Sequence, residues 1–210
     1  AELLITVTGV NDAPVLEDAG GTVIFSLGIP NVESGTSTGT SSTGTSSYTT
    51  VIDSSLAVSD VDDVVIEGAT ISISSGFVLG EDELDFTNTP EITGEWDEVT
   101  GQLILSGNAT KAQYEAALES IIYSNLAESL PTVGTRTITW SINDGDTDGS
   151  AATSFIRINA SPTLTGAGGT LSFAEGGSAA VIDSAVSLSD VDDADITSAT
   201  IAISSGHVLS

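Results

Sequence analysis

The chain has 210 residues, with thirty acidic and three basic side chains and a formal net charge of −27 at pH 7. Only 16% of its residues are charged and 40% are hydrophobic, which supports a folded core rather than an acidic disordered tail. Lys111, Arg136 and Arg157 are the only cations, which argues against nucleic acid or an anionic membrane as partner. Without Cys, and with His207 as the single histidine, thiolate sites and His-based catalysis are excluded.

The composition also indicates a location. No apolar run approaches the ~20 residues of a membrane-spanning helix, and no basic segment marks a signal peptide. The absence of Met and the abrupt end at Ser210 predict a piece of a longer protein. A Cys-free chain rich in Thr, Ser, Gly and Asp is typical of a secreted bacterial protein, so we expect no membrane insertion.

The first predicted element is a strand from Leu3 to Val10, which leads into the linker Asn11-Asp12-Ala13-Pro14. Further on, residues 28–50 contain an insertion rich in Ser, Thr and Gly, and residues 34–44 hold no apolar residue. Such a tract predicts a flexible surface loop, because it has no apolar side chains whose burial would offset the entropy that the chain loses on ordering. A sugar-bearing or partner-binding role for this loop remains an alternative.

Further segments alternate apolar with small polar residues, as strands with one buried face do. They are Ala69–Ser74, Gln102–Leu105, Arg136–Ile142 and Thr153–Ile158. Short strands separated by Gly, Asn and Asp turns favour an antiparallel β-sandwich over a parallel α/β arrangement.

One helix interrupts this pattern. Thr110 and Gln113 form a capping box, and Lys111 to Glu119 carries Tyr114 and Leu118 at i, i+4. We expect this helix to lie across one end or face of the sandwich, with Tyr114 and Leu118 in the core.

An acidic group precedes the first of these strands. In an extended Asp60-Val61-Asp62-Asp63, residues two apart point the same way, so Asp60 and Asp62 would present carboxylates to one side. Two unit charges ~4 Å apart repel by about 4 kcal/mol at an effective dielectric near 20, which a bound cation would relieve. The alternative is a solvated acidic loop.

Two further groups offer the oxygen ligands that Ca²⁺ takes. The linker supplies Asn11 and Asp12, followed by Glu17 and Asp18. Residues 143–149 carry Asp144, Asp146 and Asp148 at alternate positions, like the start of a calcium loop, but the twelfth position holds Phe155 instead of the Glu of an EF-hand. Asn-Asp-Gly at this point is also a good hairpin turn. The acidic stretches 81–85 and 91–98 are interpreted as solvated faces.

An internal repeat organises the chain. Residues 51–54, 59–63 and 74–76 return 130 positions later, and residues 13–22 return 148 positions later, so the first copy carries 18 additional residues. We predict three parts: 1–12, the last strand and linker of a preceding repeat; 13–160, one complete repeat; and 161–210, the N-terminal part of the next. The repeat copies the acidic group as Asp190, Asp192 and Asp193.

These motifs, in this order, resemble the cadherin-like and chondroitin sulfate proteoglycan-type repeats of large bacterial RTX-type adhesins exported by type I secretion. The resemblance rests on residues 10–14, 56–62, 101–103, 122–125 and 140–145. It implies an Ig/cadherin-like β-sandwich with one short helix, in a tandem array stiffened by Ca²⁺ at the junctions. The cadherin ligand roles fall on Glu17, on Asp60 with Asp62, and on Asn11 with Asp12. Because Ala160 stands where the first linker has Asp12, the second junction should be weaker.

The leading hypothesis is a non-catalytic, calcium-binding extender repeat of a biofilm-type adhesin at the bacterial cell surface, with neighbouring repeats of the same chain as partners. The candidate metal ligands are Asn11, Asp12, Glu17, Asp60, Asp62, Asp63, Asp144, Asp146, Asp148, Asp190 and Asp192. One alternative is a module that binds a glycan or a host surface through the Ser/Thr/Gly loop. Another is a fibre subunit in which residues 3–10 of one copy complete residues 163–210 of another by strand addition.

Two other readings compete with these. A glycosidase needs two carboxylates ~5–10 Å apart in a cleft, and no part of the sequence pairs two acids with an aromatic-lined groove. The acidic composition also fits a protein adapted to high salt rather than to specific calcium sites.

Overall fold

The computed structural model describes residues 9–26, 48–127 and 131–203. The chain divides into two units, Ala1–Asn159 and Ala160–Ser210. Most of the strand predicted from Leu3 to Val10, the Ser/Thr/Gly tract at 34–44 and His207 lie outside the described residues.

The first unit is built mainly from β-strands, as the period-two pattern predicts. In chain order the strands are β1 (Val15–Glu17), β2 (Thr22–Ser26), β3 (Tyr48–Val51), β4 (Ala57–Ser59), β5 (Val65–Ser75), β6 (Asp82–Asp85), β7 (Thr93–Asp97), β8 (Gln102–Thr110), β9 (Ile122–Asn125), β10 (Gly134–Asn143) and β11 (Ala152–Asn159). The helix that the described residues of this unit contain, α1 (Lys111–Glu119), lies between β8 and β9.

These strands form one large and two smaller sheets. The six-stranded sheet has the order β2-β11-β10-β5-β8-β7, the three-stranded sheet β3-β9-β6, and β1 pairs with β4. The pairings are antiparallel except one: β2 runs parallel to β11, with Thr22 opposite Phe155 and Ser26 opposite Asn159. The mainly β, sandwich-like prediction is confirmed, although the sandwich contains this one parallel pair.

The core follows the alternation along the strands. In β10, Ile138, Trp140 and Ile142 are buried while the residues between them are partly exposed. Phe25 of the six-stranded sheet packs edge-to-face on Tyr123 of the three-stranded sheet, with ring centroids 5.2 Å apart. The two sheets therefore share one hydrophobic core, as a sandwich requires.

The predicted helix is confirmed with its capping box. Thr110 Oγ1 accepts a hydrogen bond from the Gln113 N–H at 3.3 Å, and Gln113 Oε1 accepts one from the Thr110 N–H at 2.9 Å. Tyr114 and Leu118 are buried, as expected. Burial raises the pKa of Tyr114 to about 12, and its hydroxyl donates to the Gly107 carbonyl at 2.7 Å.

The prediction of a solvated face at residues 81–85 is wrong for Asp82, which is 4% exposed. Its carboxylate accepts two hydrogen bonds from Arg136 Nε, at 2.9 and 3.2 Å, and one from the Tyr123 hydroxyl. Arg136 is itself 1% exposed. Asp82 is buried because β10 turns its one arginine into the core, where the guanidinium needs a counter-charge.

A second polar network crosses the core. The Trp140 indole N–H donates to Ser154 Oγ at 3.0 Å, and the Ser154 hydroxyl donates to Asp53 Oδ2 at 2.8 Å. Asp53 also accepts from the hydroxyl of Ser55 at 2.8 Å and from the Gly20 N–H at 3.3 Å. Burial raises the pKa of Asp53, but the hydrogen bonds from Ser154, Ser55 and Gly20 outweigh it and hold that pKa below the usual value.

This lowered pKa predicts a pH dependence. The ionised Asp53 stabilises the fold at pH values above ~4, the carboxyl pKa of an unfolded chain, and that stabilisation is lost as the pH falls through the lower folded pKa. Asp53→Asn should reduce the free energy of unfolding at pH 7 by about 1–3 kcal/mol. In the same variant, the free energy of unfolding should also fall less steeply as the pH is lowered. Urea unfolding between pH 3 and pH 7 measures this change.

Asp85→Asn is the matched control, because Asp85 is exposed in β6. It should leave the pH profile parallel to that of the parent chain. Profiles of Asp53→Asn and the parent that differ only by a constant would contradict the role of Asp53.

The second unit contains two short strands in its described residues, β12 (Thr163–Thr165) and β13 (Ser187–Ser189). They pair antiparallel with Leu164 opposite Leu188. The first unit pairs β1 with β4 in the equivalent register, with Leu16 opposite Val58. The opening of the second unit therefore repeats the opening of the first.

Candidate metal centre

The acidic group after β4 forms a turn instead of the predicted extended segment. Asp60 Oδ1 accepts hydrogen bonds from the N–H groups of Asp62 at 3.0 Å and Asp63 at 2.8 Å. Asp side chains favour this local bonding, which competes with strand formation. The expectation that Asp60 and Asp62 face one side as alternate strand residues is therefore wrong. The Asp62 carboxylate instead accepts the Asp12 N–H, at 3.2 Å from Oδ1.

The loop after β10 makes a similar turn. Asp144 Oδ1 accepts the N–H groups of Asp146 at 2.8 Å and Thr147 at 2.7 Å. Asp144 Oδ2 accepts a hydrogen bond from Asn11 Nδ2 at 2.9 Å. The bond from Asn11 and those from the backbone hold the pKa of Asp144 below its usual value, so this buried side chain is an ionised acceptor.

The linker is held between these two loops. Asn11 contacts the second loop through Asp144 and through Thr147 Oγ1 at 3.3 Å, while the Asp12 N–H binds the first loop. Gly149 closes the contact, because a Cβ at this position would lie 2.2 Å from the Pro14 carbonyl oxygen. Gly149 was not among the predicted site residues, although its place just after an Asp-rich loop was a signal for close backbone approach.

Three carboxylates meet where the loops converge. One carboxylate oxygen each from Asp60, Asp63 and Asp144 lies within 4.8 Å of the others. Burial raises the pKa of Asp63, and the charges of Asp62, Asp60, Asp144 and Asp146 raise it further. Within the described chain, Asp60 Oδ2 is buried and has no hydrogen-bond partner. An unpaired buried carboxylate oxygen beside two other carboxylates is what a hard cation would satisfy.

Lys111 supports the first loop from the start of α1. Its ammonium group donates to the backbone carbonyls of Asp60 at 2.8 Å and Asp63 at 2.6 Å. These bonds fix the loop backbone and do not use the carboxylate oxygens of Asp60 and Asp63.

The other predicted ligands of the first unit lie outside this group of three carboxylates. Glu17 is exposed in β1 opposite Ala57. Asp146 and Asp148 are exposed, and Asp148 Oδ1 accepts Asn143 Nδ2 at 2.7 Å to close the turn. Asn143 Oδ1 also accepts the Gly145 N–H at 2.7 Å, and Gly145 has φ of 104°. Turn geometry thus accounts for Asn143, Gly145 and Asp148, while Asp144 points to the other acids.

The second unit holds a related cluster of Asp190, Asp192 and Asp193, whose carboxylate oxygens also lie within 4.8 Å of one another. Asp190 Oδ1 accepts the N–H groups of Asp192 at 3.1 Å and Asp193 at 3.2 Å, and these bonds lower the pKa of Asp190. The Ala160 N–H donates to Asp192 Oδ1 at 3.1 Å, as the Asp12 N–H does to Asp62. Replacing Asp12 by Ala160 keeps this contact, because the backbone makes it.

The fold and this centre define a β-sandwich repeat whose linker enters beside an oxygen-only acidic cluster. The chain is similar to part of halomucin from Haloquadratum walsbyi (strain DSM 16790 / HBSQ001), with 30% identity over 158 residues. The match covers 68% of this chain and 2% of halomucin. No protein-family profile and no solved structure matches the chain. Among the described residues, no helix is long and apolar enough to cross a membrane.

Proposed function

We propose that the chain is a non-catalytic repeat of a long cell-surface protein, in which Ca²⁺ bound by Asp60, Asp63 and Asp144 fixes the linker that enters the repeat. Two observations carry this proposal: one carboxylate oxygen each from Asp60, Asp63 and Asp144 lies within 4.8 Å of the others, and the Oδ2 atom of Asp60 is buried without a hydrogen-bond partner in the described part of the chain. The mutual repulsion of the three carboxylates is the free energy that a divalent cation would relieve.

The chemistry of the donors favours Ca²⁺ over other metals. Zinc and copper prefer imidazole and thiolate ligands, whereas the donors in this cluster are carboxylates. Ca²⁺ takes six to eight oxygen ligands in flexible geometry, so neighbouring carboxylates, backbone carbonyls and water can complete its shell. Mg²⁺ demands a tighter octahedron and gives up its own water reluctantly.

The position of the cluster gives the cation a mechanical role. Asp60 and Asp63 belong to the loop that precedes β5, and Asp144 belongs to the loop that follows β10. Asn11 and Asp12 of the linker are hydrogen-bonded to these same two loops. A cation that joins the loops therefore orders the surface on which the linker rests and limits the angles that the linker can adopt.

The surface role is supported by the repeat and by the comparison. The matched segment is 2% of halomucin, so that relative is many times longer than this chain, as a protein built from many modules would be. The reference to mucins in its name supports a place outside the cell. The resemblance to cadherin-like repeats of RTX-type adhesins supports an extender role within an adhesin.

Thermal unfolding in Ca²⁺ and in chelator tests the cation site. At a free Ca²⁺ concentration of 100 times Kd, the free energy of unfolding should rise by about 2.7 kcal/mol, which is a Tm increase of about 5–10 °C for a chain of this size. Asp60→Asn combined with Asp63→Asn should abolish the increase. Asn can still accept at Oδ1, so the turn at Asp60 should persist in this variant.

Glu95→Gln combined with Glu98→Gln is the charge-matched control, because both residues are exposed. This variant should keep the full calcium response. Sodium chloride at matched ionic strength separates specific binding from adaptation to high salt. Equal midpoints in calcium, in chelator and in matched salt would contradict the calcium proposal, and a salt response as large as the calcium response would favour the high-salt interpretation.

A further inference from the structure

The sequence contains two triplets of the form Asn-x-Ser/Thr, at residues 108–110 and 159–161. In exported proteins this triplet is the acceptor signal for N-glycosylation, which places a bulky sugar on the protein surface. Asn108 is exposed near the end of β8, whereas Asn159 is half-buried in β11, where it aligns with Ser26 of β2. The folded chain therefore has room for a sugar at Asn108, while a sugar at Asn159 would disturb the packing of that side chain.

A β-bulge presents Asn108 on the surface. The register between β5 and β8 shifts at Glu67, so that two residues of β8, Gly107 and Asn108, lie opposite this one residue. Gly107 has φ of 143°, and a Cβ at this position would collide with the Glu91 carbonyl oxygen, so the bulge requires glycine. Asn108 Nδ2 donates a hydrogen bond to Glu67 Oε1 at 3.1 Å. Bulges commonly re-aim a side chain, and this one holds the Asn108 amide beside Glu67.

A groove of about 320 Å³ lies next to this amide. Its lining includes Glu67, the hydrogen-bond partner of Asn108, and Ser106, which lies two residues earlier on β8. Gly68 lies opposite Ser106 on one neighbouring strand and opposite Asn143 on the other, and it has no side chain to fill the space between them. The volume is at the lower end of the about 300–1,000 Å³ that is typical of small-molecule sites.

The chemistry of the groove suits a neutral sugar ring. Ile104 is 45% exposed and offers apolar surface to the C–H face of a ring. The hydroxyls of Ser106 and Ser141 and the carboxylate of Glu67 offer donors and acceptors to sugar hydroxyls. Glu67 and Asp148 also line the groove, and their charges would repel an anionic sugar. The occupant that fits best is therefore a neutral hexose or N-acetylhexosamine.

We propose that Asn108 is an N-glycosylation site, and that the first, neutral sugar of its glycan lies in this groove. In a reaction catalysed by a glycosyltransferase of the producing cell, Asn108 Nδ2 attacks the anomeric carbon of a sugar carried on a lipid diphosphate. The C–N bond forms, and the bond from that carbon to the phosphate oxygen breaks. The lipid diphosphate leaves with the bonding electron pair, and one amide proton is lost. The second amide hydrogen remains and can still donate to Glu67.

Thr110 has a structural role besides its place in the triplet. Its hydroxyl belongs to the capping box of α1 and donates to Gln113 Oε1 at 2.8 Å. Substitutions at this position separate the two roles. Thr110→Ser keeps both the cap and the triplet, whereas Thr110→Asp keeps a good N-cap but destroys the triplet.

The inference rests on the proposed cell-surface location, because the lipid-linked donor is encountered during export, and it does not depend on the calcium site. The chain is purified from the surface of the cells that make it and is cut after glutamate. This cleavage places Asn108 in the peptide 99–115 and Asn159 in the peptide 129–175. Tandem mass spectrometry should find a sugar on Asn108 in most copies and none on Asn159. An unmodified peptide 99–115 from chain recovered at the surface would overturn the assignment and leave the surface location intact.

The variants distinguish the triplet from the fold. Asn108→Gln and Thr110→Asp should both lose the sugar from the peptide 99–115, whereas Thr110→Ser should keep it. The two Thr110 variants should retain the helix signal of the parent chain in circular dichroism, since each supplies an N-cap. A sugar that persists in the peptide 99–115 of Thr110→Asp would contradict N-glycosylation at Asn108.

Urea unfolding tests whether the first sugar lies in the groove. The glycosylated chain is compared with the same chain made in cells that lack N-glycosylation. The equilibrium constant for unfolding should be about fivefold lower with the glycan, which corresponds to about one net hydrogen bond. Ser141→Tyr fills the groove outside the triplet, so this variant should keep the sugar but lose the difference in stability. A glycan that leaves the parent chain no more stable, or that stabilises Ser141→Tyr equally, would overturn its place in the groove.

Discussion

Replacing Asp82 by Ala should destabilise the first unit by about 3–5 kcal/mol, because the buried Arg136 guanidinium would lose its counter-charge. Arg136 Nε donates to both oxygens of Asp82, and the two side chains are almost completely buried. The Tyr123 hydroxyl would lose an acceptor in the same variant. The change is measured as the free energy of unfolding in urea, followed by circular dichroism.

Asp85→Ala in the same strand is the control, and it should change stability by no more than about 0.5 kcal/mol because Asp85 is exposed. The double variant Asp82→Leu with Arg136→Met should be more stable than either single variant, since it removes both charges together. An Asp82→Ala cost no greater than that of Asp85→Ala would contradict the role of the buried pair.

Trp140→Ala should also cost about 3–5 kcal/mol, since it empties the largest fully buried side-chain volume of the core. Trp140→Phe keeps most of the volume but removes the indole N–H that donates to Ser154. We therefore expect a smaller loss, about 1–3 kcal/mol, for the aromatic replacement. Urea unfolding followed by circular dichroism measures both variants, because each of them removes one of the two tryptophan fluorophores.

Trp96→Ala is the comparison for the Trp140 variants. Trp96 is only partly buried on the edge strand β7, where it packs on Phe77 with ring centroids 6.4 Å apart. Its loss should cost clearly less than the loss of Trp140. Equal costs for the two tryptophans would contradict the expectation that full burial and the hydrogen bond to Ser154 make Trp140 the more stabilising side chain.

The local elements were predictable because local patterns determine them. The capping box at Thr110 and Gln113 set the start of the helix, and the period-two alternation identified β10. The same alternation also predicts that Arg136 is buried, which conflicts with the interpretation of residues 81–85 as a solvated acidic face. Arg136 lies two residues before Ile138 and four before Trp140, so it shares their inward face and requires a buried acid such as Asp82.

The candidate centre could be predicted only in part. Its residue types were visible, because clustered Asp residues beside turns indicate oxygen ligands. Which of them meet depends on two remote facts: the strand order that brings the loop of Asp144 beside the loop of Asp60, and the turn that replaces an extended Asp60-Asp62 segment. The sequence of either loop does not reveal which distant strands pair, so the grouping of Asp60 with Asp63 and Asp144 could be found only from the structure.

The parallel pairing of β2 with β11 has a mechanical consequence. In sequence, β2 lies near the start of the first unit and β11 lies at its end. The two strands share five aligned residue pairs, from Thr22 with Phe155 to Ser26 with Asn159. Because they run in the same direction, tension that draws the N-terminal end of β2 away from the C-terminal end of β11 slides one strand along the other. All the hydrogen bonds between the two strands then bear the force at the same time. In an antiparallel hairpin pulled from its open end, the hydrogen bonds would instead break one after another.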